Sequence, residues 1–433
     1  MSQYRAYPAY KDSGVEWIGQ VPEHWKIAQI KRISALNPRK STLSEEKDSL
    51  CTFLPMEKLR TNAVTLDETR PIHEVYGGYS YFCDGDILIA KVTPCFENGN
   101  IAVANGLVNG IGFGSTEINV LRVNGKGHNR FLYYRLQEEQ FRTIAKSEMR
   151  GTGGLKRVPT DLFESFTIGL PDTDEQATIA ATLDQETARI DALIEKKTRF
   201  IELLKEKRQA LITHAITKGL DPNAKMKDSG IEWIGQVPEH WKVARVKRLA
   251  SLRNERRNDV STDTIYIGLE DVEAGSGQYK PTNGSSRQSE DSTVGIFYEG
   301  DVLYGKLRPY LRKAIISEMA GCCSTEFLVL RAEKTEPRWL QEWLLTPDVT
   351  HQIVSGCEGA KMPRADWGHI GSIEVVYPDQ PEQAKILTSL DRETARIDAL
   401  ISKTEQSITL LKERRAAFIT AAVTGQIDLR GKQ

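Results

Sequence analysis

Apolar side chains recur at intervals of four and three residues along two long stretches of the chain. The first passes through Ile179, Leu183, Thr187, Ile190, Ile194, Lys197, Ile201, Leu204, Arg208, Leu211 and Ala215. The second passes through Ile386, Leu390, Thr394, Ile397, Ile401, Thr404, Ile408, Leu411, Arg415, Phe418 and Ala422 in the same register. This alternation, sustained over about five heptads, is the pattern of a coiled-coil seam. No Pro or Gly interrupts Glu175–Thr217 or Glu382–Thr424, so each stretch is predicted to form one helix. At 1.5 Å per residue, ~40 residues make a helix about 60 Å long. One such helix cannot bury its own stripe, and the two are expected to pack on each other. The polar seam positions Thr187/Thr394, Lys197/Thr404 and Arg208/Arg415 are expected to fix the register; the alternative is that another protein touches the seam there.

Ahead of each helix the pattern changes to short apolar runs punctuated by Gly, such as Gly85–Ala90, Ile111–Gly114, Ile265–Leu269 and Asp301–Tyr304, which read as strands and turns. Pro171-Asp172 and Pro378-Asp379 mark where these regions stop. The chain also repeats itself. Lys11–Lys26 (KDSGVEWIGQVPEHWK) and Lys227–Lys242 differ only at Val15/Ile231, and Asp184–Ile194 and Asp391–Ile401 differ only at Gln185/Arg392. Between these blocks the sequence diverges, yet Asp84–Pro94 parallels Glu299–Pro309 and Ser115–Val123 parallels Ser324–Ala332. The expected fold is α+β: two α/β domains separated by two long coiled-coil helices; if these pack antiparallel, the internal repeat acquires a pseudo-twofold axis, with one variable domain at each end. Residues 1–173 would hold the opening segment and first variable domain, and 174–218 the central helix. Residues 219–380 would hold a linker, the repeated opening segment and the second variable domain, and 381–433 the C-terminal helix and tail.

Composition sets outer limits. With 27% charged and 39% hydrophobic residues in 433, the chain reads as a soluble globular protein of more than one core. No apolar run approaches the ~18–20 residues needed to span a bilayer, and the first residues lack the apolar core of a signal peptide. A cytoplasmic location and no membrane partner are therefore expected. The six cysteines form no CxxC pair and have no His at metal-ligand spacing, so buried or incidental thiols are expected. The net charge of −1 hides basic segments at Lys146–Arg157, Arg245–Arg257 and Lys306–Lys313.

Catalytic signatures are missing from the sequence. There is no Asn/Asp-Pro-Pro-Tyr/Phe run, and Gly110–Ser115 and Gly151–Gly154 match neither a P-loop nor a dinucleotide fingerprint. Pro171-Asp172 followed by Glu195-Lys196-Lys197 has the letters of a metal-dependent nuclease, but Glu195 falls inside the heptad pattern and its counterpart is Ser402. His24 and His240, in the repeated Pro-Glu-His-Trp, are expected to pack or cap.

Two variable regions, each followed by a repeated helix, with Glu16–Trp25 and Glu232–Trp241 openings, resemble the specificity subunit of a type I restriction–modification enzyme. The helix starts carry the same likeness at Glu175-Gln176 with Glu186–Asp191, and at Glu382-Gln383 with Glu393–Asp398. The resemblance covers essentially the whole chain. It implies that the variable regions are target recognition domains, each reading one half of a bipartite asymmetric site on double-stranded DNA. It implies that the coiled coil sets the gap and docks two methyltransferase subunits, with restriction subunits joining through the complex. S-adenosylmethionine, ATP and Mg would sit on those partners only, leaving this chain without cofactor, metal or catalytic residues. A non-catalytic helical-hairpin scaffold without DNA specificity is the alternative reading.

Under the resemblance, DNA contacts are expected where the shared skeleton turns basic. Lys91 and Lys306 hold equivalent positions, with Thr93 and Arg308 following at the same offset. A residue common to both domains suits the phosphate backbone, which is common to both half-sites. Arg150, Lys156 and Arg157 in one domain, and Lys361 and Arg364 in the other, lie in similarly placed basic loops that the resemblance puts close to DNA. Tyr79, Tyr81, Phe96, Tyr304 and Tyr310 are expected to be core or strand residues rather than wedges.

Overall fold

The computed structural model describes residues 4–43, 46, 48–152, 154–261, 263–282, 292–357 and 361–431. The chain forms two compact units, Met1–Lys197 with Gln406–Gln433, and Thr198–Glu405. Each unit contains a variable domain and segments of both long helices.

In the first unit an antiparallel sheet has the order Ile101–Val103, Ile87–Ala90, Ile118–Val123, Ser34–Leu36. The strand Ile87–Ala90 is buried at every residue, as expected of a short apolar run covered on both faces. Alternate side chains serve different cores, as the two-residue period of a strand requires. Ile87 and Ile89 pack with Phe131 and Leu132 of the helix Asn129–Arg135, whereas Leu88 and Ala90 pack with Leu54 and Phe82. Leu54 and Phe82 belong to a second sheet, ordered Thr69–Pro71, Leu50–Leu54, Ile111–Gly114, Ser80–Cys83, in which the middle pair is parallel.

The second unit repeats this arrangement. Its first sheet has the order Ala250–Leu252, Phe327–Ala332, Val302–Gly305, Ala314–Ile316. Val302 and Tyr304 face Trp339 and Leu340, and Leu303 faces Phe297 and Ile267. Register is kept: Ile87 opposes Leu121 and Ala90 opposes Ile118, just as Val302 opposes Leu330 and Gly305 opposes Phe327. The second sheets differ at their edges. Thr69–Pro71 extends the first outside Leu50–Leu54, whereas Arg256-Arg257 extends the second outside Val294–Phe297.

The long helices span Thr173–Lys218 and Gln380–Val423. In the first unit Ile179, Ala180 and Leu183 share a core with Phe418, Ile419 and Ala422, and Arg415 Nε lies 2.9 Å from Asp191 Oδ1. In the second, Ile212, Ala215 and Ile216 pack with Ile386, Leu387 and Leu390, and Arg208 Nε lies 3.1 Å from Asp398 Oδ1. The helices therefore pair antiparallel in both. The seam threonines are satisfied internally: Thr187, Thr394 and Thr404 donate to the carbonyls of Leu183, Leu390 and Leu400 at 2.7, 2.8 and 2.7 Å. The repeated Arg–Asp pairs, rather than these hydroxyl bonds, reach from one long helix to the other.

The repeated opening segment has a local job. Trp25 is fully buried, and its Nε1 donates to Glu175 Oε1 at 3.2 Å while His24 Nε2 lies 2.7 Å from Oε2. Trp241 and His240 hold Glu382 in the same way, at 3.1 and 2.7 Å. Asp172 and Asp379 cap the same helix starts by accepting from the amides of Glu175 and Glu382 at 2.8 and 3.0 Å. Gln176 and Gln383 donate to Pro171 O and Pro378 O, both at 3.0 Å. Asp172, half of the nuclease-like pattern, is thus a helix cap, and Glu195 is exposed on the central helix. All six cysteines are free, and burial pushes the Cys51 thiol up to about 11. No helix among the described residues is long and apolar enough to cross a membrane.

Candidate nucleic-acid interface

The central buried strand of each domain is followed directly by a lysine, Lys91 or Lys306, and the backbone around it is tied down in the same way. Lys91 N donates to Glu117 O at 3.0 Å and Val158 N to Lys91 O at 2.8 Å. Lys306 N donates to Glu326 O and Ala365 N to Lys306 O, both at 2.9 Å. Two residues on, Thr93 N donates to Lys156 O at 2.9 Å and Arg308 N to Pro363 O at 2.8 Å. Isolated bridges join Val92 to Arg157 and Leu307 to Arg364, and Arg150 bridges to Arg157.

These contacts gather Lys91, Thr93, Arg150, Lys156 and Arg157 on one face of the first domain, and Lys306, Arg308 and Arg364 on the matching face of the second. Lys361 is three residues before Arg364 on the same loop. Gly153, Gly359 and Ala360 of the two basic loops lie outside the described residues. Arg150, Lys156, Arg308 and Lys361 are exposed; Lys91 and Lys306 are half-buried at the strand ends.

The arginines at the loop ends are engaged. Arg157 forks onto Glu117 with both distances 2.8 Å, and Arg364 onto Glu326 at 3.1 and 3.4 Å. Hydrogen bonding from Arg157, with added attraction from Arg157 and Lys91, holds the Glu117 carboxyl below the usual range. Each fork fixes its loop against the strand, leaving Lys91, Arg150 and Lys156, or Lys306, Arg308 and Lys361, as the cations presented outward. Such clusters can meet a polyanion with lysine point charges and an arginine fork.

Sequence reasoning passed over the carboxylates. Glu117 and Glu326 stand in the repeated Ser-Thr-Glu, and that shared Glu beside a shared Arg was the available signal. One aromatic also departs from expectation. Tyr81, Phe96 and Tyr304 are buried and Tyr79 is half-buried against Phe53, but Tyr310 is 51% exposed. It sits on a turn, Pro309–Leu311, that follows the strand rather than continuing it.

A family model for the type I restriction modification DNA specificity domain matches residues 22–203. Over that stretch the chain is similar to type I specificity subunits. The EcoEI specificity subunit of Escherichia coli is 32% identical over 164 residues, covering 38% of this chain and 28% of that protein. The EcoAI specificity subunit of Escherichia coli is 36% identical over 163 residues, covering 37% and 27%. The matched stretch is thus little more than a quarter of either relative's length. Among solved structures, a chain described under complex assembly and conformational transition of the type I R-M system superposes with TM-score 0.73. It covers 94% of this chain and 99% of its own at 16% identity, a likeness of fold.

Proposed function

We propose that this chain is the DNA-recognition subunit of a type I restriction–modification complex and is itself non-catalytic. Each variable domain, within 1–173 and 219–380, reads one half of a bipartite asymmetric site. The helices within 174–218 and 381–433 set the gap and dock two methyltransferase subunits, with restriction subunits joining through them. S-adenosylmethionine, ATP and Mg then belong to the partners.

The observation that carries this reading is the pair of matching basic faces on one backbone scaffold, built from Lys91, Thr93, Arg150, Lys156 and Arg157 and from Lys306, Arg308, Lys361 and Arg364. Like scaffolds suit a like phosphate backbone, and unlike loops beside them suit unlike bases. Docking draws support from large apolar side chains left exposed off the seam, Leu193 and Leu410 in the first unit and Phe200, Leu203 and Leu400 in the second. Modified-base sequencing of a host carrying only this system should return a split motif with an unspecified gap. Methylation confined to one short continuous palindrome would refute the two-reader reading.

A further inference from the structure

Within each basic face a large apolar side chain at the same position is exposed. Leu155 is 55% exposed and Met362 is 49% exposed. Each stands two residues before the arginine that forks onto the strand-end glutamate, Arg157 in one domain and Arg364 in the other. They occupy the same place in both copies.

The turn that presents Leu155 is held from several sides. Thr93 Oγ1 donates to Gly154 O at 2.9 Å and accepts from Lys156 N at 3.0 Å, so the residues on both sides of Leu155 are pinned. Gly151, at φ +148°, passes so close beneath that a Cβ there would lie 2.2 Å from Leu155 O. Only glycine closes this turn. In the second domain Pro363 restricts the backbone of Met362 just before it, and the Pro363 carbonyl accepts from Arg308 N at 2.8 Å. Beside it Tyr310 is exposed between Arg308 and Arg312, both non-glycine residues at left-handed φ of 52° and 49°. Such strain persists where the surroundings enforce it, commonly at binding sites.

A single exposed leucine is ordinary. The same exposure in both copies, on pinned turns ringed by outward-facing cations, is not accounted for by packing. Proteins that read DNA partly through its shape insert apolar side chains between base steps, while cations hold the flanking phosphates. Resting on the DNA-recognition reading above, we propose that Leu155 and Met362 are wedges that each press an apolar side chain into the base stack of one half-site. The cations on the same faces favour DNA over a protein partner as the surface they meet.

The test uses the complex assembled with its methyltransferase and duplexes carrying the motif found by modified-base sequencing, with 2-aminopurine placed through each half-site. Leu155→Ala should weaken binding of the specific duplex about tenfold, the scale of one lost apolar burial, and abolish the 2-aminopurine fluorescence rise in its own half-site only. Met362→Ala should do the same in the other half. Affinity for unrelated duplex and the salt dependence should stay unchanged, and Leu155→Met should retain specific binding. Unchanged specific affinity, or equal loss on unrelated duplex, would overturn the proposal. So would loss of co-purifying methyltransferase with intact DNA binding by the complex that remains, which would make these side chains a protein contact. If the unsubstituted complex preferred no split-site duplex, the DNA-recognition reading would itself fall, and the wedge with it.

Discussion

Glu342 and Tyr134 hold corresponding places on the helices Pro337–Leu345 and Asn129–Arg135, but only the tyrosine is well served there. Tyr134 donates to Asp184 at 2.6 Å, whereas Glu342 is 5% exposed beside Arg338. Burial raises the Glu342 carboxyl; Arg338 and then Arg208 pull it down less strongly, and Asp391 pushes it up further. With the folded value above the unfolded one, its stabilising contribution is full below the unfolded pKa of ~4.3 and is lost as pH rises through the folded value. Glu342→Gln should therefore gain urea resistance relative to the parent as pH climbs from about 4 to about 7. A difference that shrinks over that range would contradict the assignment. Lys91 and Lys306 present the opposite case, cations at strand ends with acid close by and water in front. Lys91→Ala or Lys306→Ala should weaken binding to any duplex and lower the slope of log affinity against log salt by about 0.9 each. An unchanged slope would remove them from the phosphate contacts. Both lysines were legible because the letters around them repeat. Their glutamate neighbours were legible in principle, but only the fold brings Glu117 beside Arg157.

At the scale of elements, the heptad spacing predicted the two helices nearly to their ends, because a 3.6-residue period leaves a regular trace in composition. What the spacing could not assign was which polar seam residues specify alignment. The threonines bond to carbonyls of their own helix, with Thr187 also meeting Tyr134, whereas Arg208–Asp398 and Arg415–Asp191 reach across from one long helix to the other. A double-mutant cycle on Arg208→Leu and Asp398→Leu should return a coupling of about 0.2–1 kcal/mol, the range of partly exposed ion pairs. Zero coupling would show that the apolar seam alone sets the register. The strand skeleton offers a second case. Asp86 and Asp301 are equivalent buried carboxylates, but Arg122 pairs the first at 2.7 Å and Arg253, from a different strand end, pairs the second at 2.8 Å. The position that matches Arg122 is Arg331, which instead pairs with Glu333. A buried charge must have a partner, yet either neighbouring strand can supply it. The two domains thus conserve the requirement while exchanging the residue that meets it.

At the scale of the whole molecule, duplication matters more than any single contact. On the proposed reading, two copies of one scaffold would offer two equivalent places for identical partners, and divergent loops on that scaffold would offer two different readings. The expected split methylation motif belongs to this scale, since neither domain alone would give it. Each mismatched base pair costs roughly 1–3 kcal/mol, and half-sites about one helical turn apart combine such costs across two readers. Two linked short half-sites therefore discriminate better than either could.

By itself the sequence determined the duplication, the helices, the strand skeleton and the basic positions, because each depends on spacing along the chain. The tertiary structure decided what those residues do. It turned the repeated Glu-His-Trp and Pro-Asp-x-x-Glu-Gln into one helix-start lock, because Trp25 and Glu175 lie 150 residues apart along the chain and meet only in the folded domain. It assigned Arg157 and Arg364 to glutamates and left neighbouring lysines facing outward. It also moved Tyr310, and with it Leu155 and Met362, from an anonymous apolar count to the surface. Hydrophobicity sets how readily a residue buries; whether it does so depends on which atoms the fold brings over it.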